Sequence, residues 1–129
     1  MRLLLDTHVF VWCVQDNPRL SRDTRRTIRS AAAEVFVSAA SIWEVAIKLS
    51  VGRLRWRGRP GRVLDSSIEA SGFVELPVTA RHAAAVRDLP PHHGDPFDRL
   101  LIAQAMTEGL SIVTADDAFA RYGVSLVPP

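Results

Sequence analysis

The chain has 129 residues, 47% of them apolar, and a formal net charge of +2. That length suits one compact domain over residues 1–129, and the apolar fraction supports a packed core, which excludes a disordered chain. The lone cysteine, Cys13, excludes an intramolecular disulfide and a cysteine-pair metal site.

Residues 2–6 read as a buried strand, an apolar run that closes on Asp6. Asp6 and His8 interrupt the N-terminal apolar stretch, and no small-residue cleavage site follows, so it is not a signal peptide. No segment approaches the roughly 20 apolar residues that span a bilayer. A cytoplasmic protein with no membrane contact is expected. Residues 8–15 read as a helix ended by Asp16-Asn17-Pro18, and Cys13 within it reads as a small buried side chain rather than a reactive thiol. Ser21 caps a polar helix through about residue 33, with Arg22, Arg25, Arg26 and Arg29 on its exposed face.

Residues 35–37 are the second strand. Ser38 then caps a helix with Ser41 at its third position, and Ile42, Val45, Ala46 and Leu49 mark its buried face. Gly52 ends that helix. The segment 53–62 holds Gly58, Pro60 and Gly61 and reads as a loop; residues 63–71 read as a helix ended by Gly72, and 73–76 as the third strand. Thr79 caps a helix to about residue 88, which Pro90-Pro91 breaks. Asp95 at the N-cap and Pro96 at the first helical position open a largely apolar, central helix that Gly109 stops. Residues 110–113 are the fourth strand. Asp116 or Asp117 caps a short helix over 118–122, and 124–127 form the last strand. Apolar strands alternating with helices predict an α/β fold, a parallel sheet covered on both faces.

Four acids recur at strand ends and first helical turns: Asp6, Glu44, Asp98 and Asp116. Each has an ordinary reading. Asp6 suits a helix cap, Glu44 an i,i+4 pair with Lys48, Asp98 a helix-start acid, and Asp116 a cap. Yet Glu44 lies among Ile42, Trp43, Val45, Ala46 and Ile47, where an unpaired charge is costly. Asp95 already caps its helix, which frees Asp98 to face a site. If the four converge, their repulsion demands a cation. An all-oxygen donor set suits Mg²⁺ or Mn²⁺ rather than zinc or copper. One or two such ions activate water and stabilise an in-line displacement at phosphorus. Thr114 suits a hydrogen bond to a carboxylate or to a metal-bound water, and Asp117 is a fifth acid nearby. His8 borders Asp6. His92 and His93 read as loop-ordering residues, and His82 as a surface residue. Arg53, Arg55, Arg57, Arg59 and Arg62 crowd one segment around Trp56. Such a stretch suits a polyanion, with Trp56 stacking on a base, and equally a partner contact or a solvated loop.

Three segments carry a family resemblance: Leu3-Leu4-Leu5-Asp6-Thr7-His8, Ser41-Ile42-Trp43-Glu44-Val45-Ala46-Ile47-Lys48, and His93-Gly94-Asp95-Pro96-Phe97-Asp98-Arg99-Leu100-Leu101-Ile102-Ala103-Gln104-Ala105. With Val113-Thr114-Ala115-Asp116 and residues 119–124, the chain resembles PIN-domain proteins, and among them the VapC-type ribonuclease toxins of toxin–antitoxin pairs. The resemblance implies a three-layer α/β/α domain with a parallel sheet of four or five strands. It implies Mg²⁺- or Mn²⁺-dependent endonucleolytic hydrolysis of RNA, with Asp6, Glu44, Asp98 and Asp116 as metal-binding acids and Thr7 and Thr114 in support. It also implies a homodimer and a small VapB-type antitoxin whose C-terminal segment lies across the active site. A metal-dependent DNA nuclease or phosphatase using the same acids, and a non-catalytic RNA-binding module, stay open as alternatives. The sequence does not name an RNA target.

Overall fold

Leu3, Leu4 and Leu5 of β1 (Arg2–Leu5) have no solvent exposure. Strand side chains alternate between faces, so Leu3 and Leu5 join one apolar cluster and Leu4 the other. Each such leucine contributes about 1.5–3 kcal/mol by burial. A strand covered on both sides belongs at the centre of a sheet, and β1 is central. The computed structural model describes residues 1–56 and 64–129. Among them, five parallel strands run in the order β3-β2-β1-β4-β5. The others are β2 (Glu34–Ser38), β3 (Val74–Leu76), β4 (Ser111–Val113) and β5 (Leu126–Val127).

The helices are α1 (Thr7–Val14), α2 (Arg22–Arg29), α3 (Ala39–Ser50), α4 (Ser67–Ala70), α5 (Ala80–Ala85) and α6 (Pro96–Glu108). A 3-10 turn, Val86–Asp88, continues α5, and a 3-10 helix, Asp117–Tyr122, joins β4 to β5. Val9, Phe10, Ile28 and Ile68 from α1, α2 and α4 cover one face with Leu3, Leu5, Val35 and Val37. Leu101, Ile102 and Ala105 of α6, with Phe119 and Tyr122, cover the other with Leu4 and Ile112. The result is a three-layer α/β/α domain. No described helix is long and apolar enough to cross a membrane.

The expected caps form. Ser21 Oγ accepts the Thr24 N–H at 3.1 Å, Ser38 Oγ the Ala40 N–H at 3.1 Å, and Asp95 Oδ1 the N–H groups of Phe97 and Asp98. Several expectations need correction. The second helix stops at Arg29, short of residue 33, because Ser30 turns the chain: its hydroxyl and carbonyl accept from Ala32 and Ala33. The helix expected over 63–71 forms at Ser67–Ala70, and residue 63 lies outside the described residues. In α3, Ala46 is exposed, as are Trp43 at 62% and Ile47 at 39%, so the helix is not buried all round. His82 is 2% exposed rather than on the surface. Its Nδ1 accepts the Thr79 N–H at 3.1 Å in a capping box, and its Nε2 meets Glu108 Oε1 at 2.9 Å. Cys13 is half-buried, and burial pushes its thiol up to about 11, as an inert side chain requires.

Gly109 ends α6 at φ 68°, a left-handed conformation that turns the chain directly into β4. A Cβ there meets nothing within 4 Å, so Gly109→Ala carries a purely backbone cost. The expected loss is about 1–2 kcal/mol, read as a lower urea midpoint at unchanged m. An unchanged midpoint would show that the helix end re-forms differently.

Candidate active site

The chain runs outward from β1 through β2 to β3, then returns to lay β4 and β5 on the other side of β1. The direction of winding therefore reverses between β1 and β4. At such a switch point the carboxyl ends of neighbouring strands open a crevice where ligands bind. Asp6 follows β1 there, and Thr114, Ala115 and Asp116 follow β4.

Asp6 is 4% exposed. Its Oδ1 accepts the Val9 N–H at 2.7 Å and so caps α1, and its Oδ2 accepts the Thr114 hydroxyl at 2.5 Å. Burial raises its pKa above the ordinary 3.8, the Thr114 and Val9 bonds oppose that rise, and the Asp116 charge adds to it. The cap reading of Asp6 is thus satisfied, and the same carboxylate also lies within electrical reach of a second acid.

Glu44 comes from the buried stripe of α3, where Thr7 Oγ1 donates to Ser41 Oγ at 2.9 Å and ties α1 to α3. Glu44 is 5% exposed, and its Oε2 lies 2.8 Å from Lys48 Nζ. The i,i+4 pair is therefore present. It engages one oxygen only: Oε1 is buried and has no hydrogen-bond partner among the described residues. An unpaired buried polar atom costs about 1–3 kcal/mol, and more when charged.

Asp98 sits on the first turn of α6, with its own N–H taken by the Asp95 cap. Its Oδ2 is 2.7 Å from His93 Nε2, which lies 3.9 Å from Asp116 Oδ2. One ligand atom from each of His93, Asp98 and Asp116 falls within 4.8 Å of the others, a spacing that suits a single cation. Burial pushes the Asp98 carboxyl up to about 6; the His93 hydrogen bond opposes the rise, while Asp95 and Glu44 reinforce it. Asp116 caps the 3-10 helix, its Oδ1 accepting the Ala118 N–H at 2.9 Å, and its own N–H donates to Thr114 Oγ1 at 3.0 Å.

Of the four expected acids, Asp98 and Asp116 meet in the close cluster with His93, and Asp6 and Glu44 are not among its members. Electrostatics link Asp6 to Asp116 and Glu44 to Asp98, and the close cluster joins Asp98 to Asp116. Thr7 and Thr114 lie between these elements. Asp117 is exposed, and so is His8, whose charge acts favourably on Asp6. His93, expected only to order its loop, faces the cluster. Its sequence signal was faint: a histidine two residues before a cap and five before Asp98.

Arg53 and Arg55 are exposed, beyond the C-terminal end of α3. Six residues of helix, roughly 9 Å of rise, separate that end from Glu44. Trp56 packs against the cluster on the α1 side of the sheet. Arg57, Arg59 and Arg62 lie outside the described residues.

The Asp98 shift has a definite sign. The folded protein holds this proton more tightly than the unfolded chain, so ionising Asp98 costs stability above about pH 6 and nothing well below the ordinary 3.8. Asp98→Asn should therefore stabilise the ion-free protein at about pH 7.5 by about 1–3 kcal/mol, with the gain shrinking as pH falls from about 6 to about 4. Melting curves across that range check it, and a gain independent of pH would contradict it.

A family model for the PIN domain matches residues 3–124. Ribonuclease VapC22 of Mycobacterium tuberculosis is 33% identical over 121 residues, 88% of this chain and 86% of that protein. In the crystal structure of VapBC2 from Rickettsia felis bound to a promoter DNA fragment, one chain matches with a TM-score of 0.74 at 16% identity. The match covers 99% of this chain and 98% of that one. A chain of DNA-bound VapBC from Salmonella typhimurium matches with a TM-score of 0.71 at 16% identity over the same shares of each chain. At those identities the two structures speak for the fold alone, and the fold is the same. The family match along nearly the whole length and the close relative agree: this chain belongs to the PIN-domain family, in its VapC branch.

Proposed function

We propose that this protein is a divalent-metal-dependent endoribonuclease, the toxin of a toxin–antitoxin pair, and that Asp6, Glu44, Asp98 and Asp116 hold its Mg²⁺ or Mn²⁺. The observation that carries the metal reading is Glu44 Oε1, a buried carboxylate oxygen without a donor among the described residues, which acts electrostatically on a carboxyl pushed up to about 6. Acids brought within electrical reach of one another, as Asp6 and Asp116 are and as Glu44 and Asp98 are, are stable together once a cation balances them. The donors are hard oxygens, which fits Mg²⁺ or Mn²⁺. RNA as substrate and a small VapB-type antitoxin as partner rest on the names of the relatives, Ribonuclease VapC22 and the VapBC complexes. A homodimer belongs to the same reading.

The chain's own residues prepare the site in advance. Thr114 fixes the Asp6 carboxylate, and the Val9 N–H holds its other oxygen, so both oxygens are oriented with lone pairs to spare. Lys48 neutralises one oxygen of Glu44 and leaves the other free. Asp95, by taking the cap, leaves Asp98 to face the crevice. A divalent cation bound there would lower the pKa of water and offset the charge that builds on a scissile phosphate. Arg53 and Arg55 lie beyond the C-terminal end of α3, so any grip they have on RNA acts at a distance from the reacting phosphate.

Asp6→Asn separates structure from chemistry, because asparagine is as good a cap as aspartate. The variant should melt within a few degrees of the parent in EDTA and lose RNA cleavage by at least about 100-fold. The parent should cleave RNA with Mg²⁺ or Mn²⁺ and stop on chelation, as seen on denaturing gels. Full cleavage by Asp6→Asn, or preference for DNA or a small phosphoester assayed in parallel, would reject this reading.

A further inference from the structure

The geometry points to His93 as the residue that positions the Asp98 carboxylate for the cation, a role that rests on the metal reading above. The histidine is held from both ends. Its backbone N–H donates to the Tyr122 hydroxyl at 2.8 Å. Arg99 Nη1 donates to His93 O at 3.4 Å, Pro90 O at 2.9 Å and the Tyr122 hydroxyl at 3.3 Å. Arg99 Nη2 donates to Val86 O at 3.3 Å and Leu89 O at 3.2 Å. The loop before α6 is thus fastened to α6 itself and to a tyrosine that is only 7% exposed. The imidazole leans on Phe119, 1% exposed, with ring centroids 6.4 Å apart.

If His93 only ordered its loop, these backbone bonds would suffice. Instead the ring delivers Nε2 to Asp98 Oδ2 at 2.7 Å, with Asp116 Oδ2 beyond it at 3.9 Å. A carboxylate only accepts, so Nε2 carries the hydrogen and donates. That bond fixes one oxygen of Asp98 and leaves Oδ1 for an ion. It also sets the rotamer before the ion arrives, so less side-chain freedom is lost on binding. Removing a donor behind a metal-binding carboxylate typically weakens the metal 10- to 100-fold. No other side chain is recorded bonding to the Asp98 carboxylate, so His93 alone supplies this restraint among the described residues.

The test is Mn²⁺ affinity by titration calorimetry on the full chain, with melting in EDTA alongside. His93→Ala should weaken Mn²⁺ binding about 10- to 100-fold while the ion-free melting temperature stays within a few degrees. His93→Gln, whose amide also donates, should recover binding to within about threefold. Equal affinity in the parent and His93→Ala would overturn the proposal and leave the metal reading standing. No Mn²⁺ binding by the parent would overturn both. Spin-echo spectra of the parent–Mn²⁺ complex with a directly bound nitrogen, together with failure of His93→Gln, would make His93 a ligand and overturn the positioning role.

Discussion

The Thr114 hydroxyl donates to Asp6 Oδ2 at 2.5 Å and accepts the Asp116 N–H at 3.0 Å. The first bond joins the segments that leave β1 and β4, with partners 108 residues apart in sequence on strands adjacent in the sheet, and the second orders the turn after β4. The Asp6 N–H continues the same seam by donating to Val113 O at 3.1 Å. The site depends on this closure. It sets the Asp6 carboxylate against α1 as a cap and against the crevice as an anion, and it carries Asp116 to the point where α6 presents Asp98. Without the β1–β4 pairing, the acids are four separate helix-start residues with four ordinary explanations.

Bringing them together is unfavourable in itself. Asp6 and Asp98 are both pushed up by burial, and each feels another acid nearby. The surrounding residues reduce that cost without removing it: hydrogen bonds from Thr114, Val9 and His93, and the Lys48 ammonium on Glu44. The orphaned Glu44 oxygen is the part left over. Strain of this kind marks sites whose chemistry needs it, because a fully satisfied carboxylate would have nothing to offer an ion.

Much of this was legible in the chain. The caps at Ser21, Ser38, Thr79 and Asp95 follow from local chemistry, where a side chain bonds a backbone N–H two or three residues on. The separation of Asp95 from Asp98 could be read the same way, since one cap satisfies one helix start. The failures have a common source. Ala46, Trp43 and Ile47 looked buried because α3 is apolar on most sides, yet burial depends on which neighbours arrive, and α1, α6 and the sheet cover only one stripe. His82 read as a surface residue of its helix. It is buried because α6 packs over it and brings Glu108 and Gln104. Ser30 stopped its helix early by bonding its own neighbours, a local competition that helical spacing does not register.

The sequence by itself determined the order of elements, the parallel sheet, the caps and the identity of the acids worth watching. These rest on periodicity and on contacts within a few residues. Tertiary structure alone decided that the sheet reverses direction between β1 and β4. It also decided that Thr114 bridges two of the acids and that His93 reaches Asp98. Those outcomes depend on strand order and on the angles at which helices pack, and both are set by the whole core rather than by any one segment. A carboxylate's neighbours in space determine whether it is only a cap, and for Asp6 they satisfy the cap while holding the same carboxylate beside Thr114 and within reach of the Asp116 charge.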